Sequence, residues 1–174
     1  MRRPLPALLF AVAVLSSCAG PRIVTTPVVL DGMQKSTLAD GVLIGSQPSV
    51  AAFEELARQG YNVVVSTRGV SELEWNEREI VEAQGMSFVS IPMPAPVDVI
   101  SDDEVAQLEE VLATGENKVV LHCASGNRAA SLWAVWLVEQ RGVQPEVALK
   151  LAEEAGMKSV RTRVEERLGL TPDE

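Results

Sequence analysis

The chain predicts an α/β fold, a single layer of mostly parallel sheet flanked by helices, and three observations lead there. Short β-branched runs alternate with stretches of helical length from Gly41 to Leu168. Val63-Val64-Val65 and Val119-Val120 are apolar at consecutive positions, as in strands buried on both faces. At 174 residues and 47% hydrophobic content, the chain can build one real core.

Gly41 to Gly45 reads as the first strand, followed by the turn Ser46-Gln47-Pro48. Ser49 caps a helix from about Val50 to Gln59, with Phe53, Leu56 and Ala57 inward and Gly60 as its stop. Tyr61 to Ser66 is the next strand. Ser71 and Glu74 form a capping box for a helix to about Gln84, which Gly85 ends. Glu72, Glu74, Glu77 and Glu79 then make its solvated face. Met86 to Ile91 alternates like a strand, and the prolines at 92, 94 and 96 impose a stiff irregular loop. A second capping box, Ser101 with Glu104, opens a helix to about Thr114. A strand at Lys118–Leu121, a helix from Arg128 to about Gln140, and helices over about Pro145–Ala155 and Lys158–Leu168 complete the chain. Trp133 and Trp136, three apart on a helix, read as core.

The N-terminus carries a different signal. Met1-Arg2-Arg3 is basic, Leu5 to Leu15 is apolar but too short to span a bilayer, and Leu15-Ser16-Ser17-Cys18 follows. This resembles the bacterial lipobox, in which the cysteine is acylated and becomes the new N-terminus. The expected division is a lipoprotein signal peptide over 1–17, an anchor and tether over 18–34, and one domain over 35–174. Ala19 stands where an inner-membrane retention signal places Asp, so the expected address is the outer membrane, facing the periplasm. The bilayer is then a partner through Cys18. With a net charge of −9 and no basic stripe, the chain excludes nucleic acid as a partner. Cys, His, Asp and Glu do not cluster at ligand spacing, so no metal and no cofactor is implied.

The chemistry concentrates in Leu121 to Ala129, which holds the only histidine and the only cysteine besides Cys18. A strand leads in and a helix leads out. Helix N-terminal amides and the helix dipole favour an anion in such a loop and favour the nucleophilic thiolate of Cys123. Arg128 adds a planar fork suited to phosphoryl oxygens. Gly126 permits a tight turn and close approach. The loop Ala124, Ser125, Gly126, Asn127 thus reads as a cradle for an oxyanion above a sulfur nucleophile. An inert buried thiol is the bland rival. With Cys18 acylated, Cys123 has no disulfide partner in the chain.

The run His122-Cys-x-x-Gly-x-Arg between strand and helix resembles the protein tyrosine and dual-specificity phosphatase superfamily. More closely, the chain is similar to the bacterial beta-lactamase hydrolase-like, phosphatase-like domain family. The supporting pieces are Ile44 to Ser49, Phe53 to Gly60, Val64 to Arg68, Ile91 to Met93, His122 to Arg128, Leu132 to Ala134 and Glu146 to Gly156. They cover about residues 35–157. The resemblance implies a cysteine-phosphatase-like fold and hydrolysis of phosphoesters through a phosphocysteine. In that chemistry Cys123 attacks, and Arg128 with the loop amides stabilises the transition state. His122 orients the cysteine from behind. An upstream aspartate protonates the leaving group. Asp98 is the candidate, since Asp102 and Asp103 fit the first turn of a helix. Arg68, after a strand at the same sheet edge, either helps bind the anion or pairs with a nearby glutamate.

Two departures from the superfamily pattern stand out. Four residues, not five, separate Cys123 from Arg128, and Ala129 replaces the Ser or Thr that helps the thiolate leave. Ser125 and Ser131 are the nearest hydroxyls, neither at the matching position. The short loop also has the length of rhodanese-type loops, so a sulfurtransferase carrying a Cys123 persulfide is the rival enzyme. A catalytically inactive oxyanion-binding module is the third reading.

Overall fold

The computed structural model describes residues 23–170. Cys18 and the apolar stretch before it lie outside them. A six-stranded sheet has the order β1-β2-β3-β6-β4-β5. The four strands β3 (Val42–Gly45), β6 (Val119–His122), β4 (Val63–Ser66) and β5 (Ser87–Ser90) are parallel. The other two, β1 (Thr25–Pro27) and β2 (Ser36–Ala39), add on antiparallel. The sheet is therefore mixed, with its parallel part around the site.

The antiparallel edge departs from the sequence reading. Thr25–Pro27, placed in a tether, is the edge strand, and β2 was not anticipated. The hairpin joining β2 to β3 turns on Asp40-Gly41, with φ of 48° and 82°. Two successive left-handed residues match the right-handed twist of paired strands, and Asp-Gly adopts them at least cost.

Alternation along the central strands sorts the core into two layers. Val119, Leu121 and Cys123 face one layer with Ile44, Val65 and Trp133. Val120 faces the other with Leu43, Val64 and Phe53. The second layer is covered by α1 (Val50–Arg58) and α2 (Glu77–Ala83), the first by α3 (Asp102–Leu112), α4 (Asn127–Arg141), α5 (Pro145–Ala155) and α6 (Arg161–Arg167). In α4 every residue from Arg128 to Leu137 is buried, as expected of a helix packed between the sheet and its neighbours. Trp133 and Trp136 sit in this core.

The caps of α1 and α3 form as the sequence predicts: Ser49 Oγ accepts from Ala52 N, and Ser101 and Glu104 close a reciprocal capping box. The box expected at Ser71 and Glu74 does not. Instead Val70–Glu72 forms a 3-10 turn, and α2 starts later, with Asn76 Oδ1 accepting from Glu79 N. The turn is closed by Glu72 Oε1 accepting from Gly69 N at 2.8 Å. This early bend frees Glu72 to reach across the sheet edge.

Candidate functional site

The carboxyl ends of the three central parallel strands lie in register: Gly45 and Ser66 both pair with His122. The next residue is Cys123, at the strand edge where ligands bind in parallel α/β sheets. The loop from Cys123 to Arg128 is held from three sides. Cys123 N donates to Gly45 O at 3.3 Å, and Gln47 N donates to Ala124 O at 3.4 Å. Asn127 Oδ1 accepts from Lys158 N at 2.7 Å, while its Nδ2 donates to Ser159 Oγ at 2.8 Å. The turn before α6 therefore clamps the loop. Gly126 has φ of 91°, and an added Cβ would come within 3.4 Å of Gly45 carbonyl carbon. The left-handed backbone angle favours glycine there, and the added Cβ would only reach ordinary contact distance. Its N–H points back and donates to Cys123 Sγ at 3.1 Å.

Cys123 is 1% exposed and lines a cavity of about 510 Å³. Arg128, Ser125 and Asn127 share that cavity from below, Asp98 from the proline-rich loop, and Arg163 from α6. Asp98 is thus brought together with Cys123 and Arg128. Asp102 and Asp103 are not, since they lie in the first turn of α3, where Asp102 pairs with Arg167. Ser125 is at the cavity, whereas Ser131 spends its hydroxyl on Arg128 O at 2.8 Å.

Arg128 is buried, and its donors can be followed individually. Nη1 and Nη2 donate to the two oxygens of Glu72 at 2.7 and 2.6 Å, and Nη1 also donates to Met93 O at 2.9 Å. A guanidinium has five N–H groups, so Nε–H and one Nη2–H are left by Glu72 and Met93 to face the Cys123 sulfur and the cavity. They form one parallel edge, the geometry that grips two oxygens of an oxyanion. Hydrogen bonding to Glu72 raises the Arg128 pKa against the opposing effect of burial, with the charges of Glu72 and Cys123 adding to the rise. In return, chiefly through the Arg128 hydrogen bond, the Glu72 carboxyl is lowered from 4.5 to about 2.

Arg68 does not reach this cavity. It donates from Nη1 to Gln47 Oε1 at 2.9 Å, its Nε stands 3.5 Å from Glu72 Oε2, and it lines a neighbouring cavity of about 340 Å³ beside Trp75. Of its two readings from sequence, the glutamate pair is the one formed.

His122 is fully buried, and its ring lies on the opposite face of the sheet from the thiol. It meets Phe53 edge-on at 6.4 Å between centroids, and Nε2 stands 3.2 Å from Glu77 Oε1. The contact is at ion-pair distance but bent from a linear hydrogen bond, and Nδ1 has no partner among the described residues. Strand alternation thus rules out His122 as a base for Cys123, and an orienting role remains. Of the glutamates read from sequence as solvated, Glu72 is exposed but Glu77 is not. Glu72 binds Arg128, and Glu77 is buried beneath the loop. A signal for Glu77 existed: it lies four residues before the inward Val81, on the same helix face.

With this geometry in place, similar proteins can be named. Residues 35–142 match the family described as "Beta-lactamase hydrolase-like protein, phosphatase-like domain". The beta-lactamase hydrolase-like protein of Agrobacterium fabrum is 26% identical over 108 residues, 59% of this chain and 25% of that protein. The chain therefore spans about a quarter of that relative's length. Among solved structures, Tk-PTP in its active form gives a TM-score of 0.64 at 21% identity, covering 82% of this chain and 93% of that one. A cysteine-to-serine variant of P. aeruginosa TpbA in complex with pTyr gives 0.64 at 18% identity, covering 91% and 99%. These likenesses establish a cysteine-phosphatase-like fold. Matched over more than half its length, the chain belongs to the phosphatase-like domain family of the beta-lactamase hydrolase-like proteins.

Proposed function

We propose that this protein is a cysteine-dependent phosphatase of the bacterial envelope, acting on phosphomonoesters from a lipid anchor at Cys18. The observation that carries the reading is the edge of Arg128 that Glu72 leaves free, beside Cys123 in the cavity that both residues line. The Cys123 thiolate attacks phosphorus, the ester P–O bond breaks, and Asp98 gives its proton to the leaving oxygen. Water then attacks the phosphocysteine, releasing phosphate and regenerating the thiolate. Loop amides and the free edge of Arg128 hold the equatorial oxygens as their charge develops. The pTyr bound to the TpbA variant supports a phosphorylated substrate.

Sulfur transfer is the second reading, favoured by the four-residue loop and by Ala129, which is buried and supplies no hydroxyl for the second step. There Cys123 takes the outer sulfur of thiosulfate, releases sulfite, and passes the sulfur to cyanide as thiocyanate.

Assaying the purified protein on p-nitrophenyl phosphate and on thiosulfate with cyanide separates the two. Phosphate release that disappears in Cys123→Ser supports the phosphatase. Thiocyanate formation without phosphate release overturns it. Protection of Cys123 from alkylation by inorganic phosphate, with neither turnover, leaves an oxyanion-binding module.

A further inference from the structure

Beneath the cysteine loop runs a chain of polar contacts that the reaction itself does not call on. It starts at His122, whose Nε2 stands 3.2 Å from Glu77 Oε1. Gln47 Nε2 donates to the same carboxylate, and Gln47 Oε1 accepts from Arg68 Nη1 at 2.9 Å. Arg68 faces Glu72, and Glu72 holds Arg128 by both oxygens. The path therefore leaves one end of the cysteine loop and returns at the other. Gln47 is its crosspiece, because its backbone N–H also binds Ala124 O within the loop.

A carboxylate as buried as Glu77 costs several kcal/mol unless its charge is met. Burial pushes its pKa up, but its contacts with His122, Gln47 and Ser66 outweigh that and leave it below the ordinary value. The charge is kept, at the layer directly under the nucleophile.

We propose that Glu77 and Gln47 are positioning residues for the Cys123–Arg128 loop, joining buried His122 to Arg128 through one contact network that sets the loop's shape. This rests on the same loop being the reactive site. Glu77→Gln keeps the volume and an oxygen for Gln47 but removes the charge facing His122. Gln47→Ala cuts the crosspiece. Either change frees the loop to move, and the Gly126 N–H no longer sits on the sulfur.

The readout is the rate of Cys123 alkylation by iodoacetamide at pH 7, which needs no turnover. Each single variant should react at least fivefold more slowly than the parent. The double variant should be no slower than the slower single, since both cut one network. Ser101→Ala, a cap of α3 outside the network, should lower the thermal midpoint and leave the rate within twofold. Rates within twofold of the parent in Glu77→Gln and Gln47→Ala, or fully multiplicative effects in the double variant, overturn the proposal. Should Glu77→Gln fail to fold, Gln47→Ala alone decides by the same threshold. A parent enzyme whose alkylation is unaffected by inorganic phosphate would count against the phosphatase reading and leave this one standing.

Discussion

At the residue scale, Arg128 works because Glu72 fixes it. The carboxylate takes the end of the guanidinium and leaves the Nε edge, so the cation arrives at the cavity already oriented. Arg128→Lys keeps the charge but has no second parallel donor. Oxyanion binding should weaken by about 1–3 kcal/mol, read as the phosphate concentration that half-protects Cys123 from alkylation. Glu72 also sets an acid limit. Its folded pKa of about 2 lies below the ordinary 4.5, so its stabilisation is complete above about pH 5 and fades as pH falls toward 2. The difference in thermal midpoint between the parent and Glu72→Gln should therefore shrink steadily from pH 5 to pH 2.5. A constant difference would mean that the ion pair contributes nothing to folding. Cys123, Arg128 and the loop between them were legible in the sequence because one loop carries them all. Glu72 was not, because it acts on a residue 56 positions away and only the 3-10 turn brings it there.

At the element scale, the site is made by strand register and by what buttresses the loop. Gly45, Ser66 and His122 end together, so the loop leaves the sheet at its deepest point. On one side the turn after β3 supports it, and on the other the turn before α6 holds Asn127. Asn127→Ala removes both side-chain bonds and leaves Lys158 N–H without its acceptor. A loss of about 1–2 kcal/mol in chemical unfolding is expected, with a lower rate on p-nitrophenyl phosphate. Gly126→Ala should cost about 1–3 kcal/mol from the left-handed backbone alone. Helices with local start and stop chemistry were readable: Ser49, Ser101 and Pro145 mark α1, α3 and α5 as the structure has them. The β1–β2 edge escaped because three- and four-residue strands carry little periodicity, although Asp40-Gly41 was a hairpin signal in plain view. The helix expected from Ser71 failed for the opposite reason. A good local capping pattern lost to the tertiary pull of Arg128 on Glu72.

At the scale of the whole molecule, the proposed lipid anchor makes a prediction about where the protein is found. Among the described residues no helix is long and apolar enough to cross one. The net charge of −9 gives no attraction to anionic headgroups. The anchor proposed above lies in the N-terminal stretch, where Cys18 follows the apolar run. Six residues separate Cys18 from Thr25, the start of the edge strand, so the two lie at most about 25 Å apart. An acylated Cys18 would hold the domain close to the bilayer by the β1 edge of its sheet. One lipid chain binds only marginally, but the two or three of an acylated N-terminal cysteine make a stable anchor. Cys18→Ser removes the acylation site and leaves the folded domain untouched. The variant should move from the membrane fraction to the soluble fraction of a cell lysate. Its activity on p-nitrophenyl phosphate should stay within twofold of detergent-solubilised parent, because the cysteine loop is built entirely inside residues 35–174. Membrane association equal to that of the parent would refute the lipid anchor.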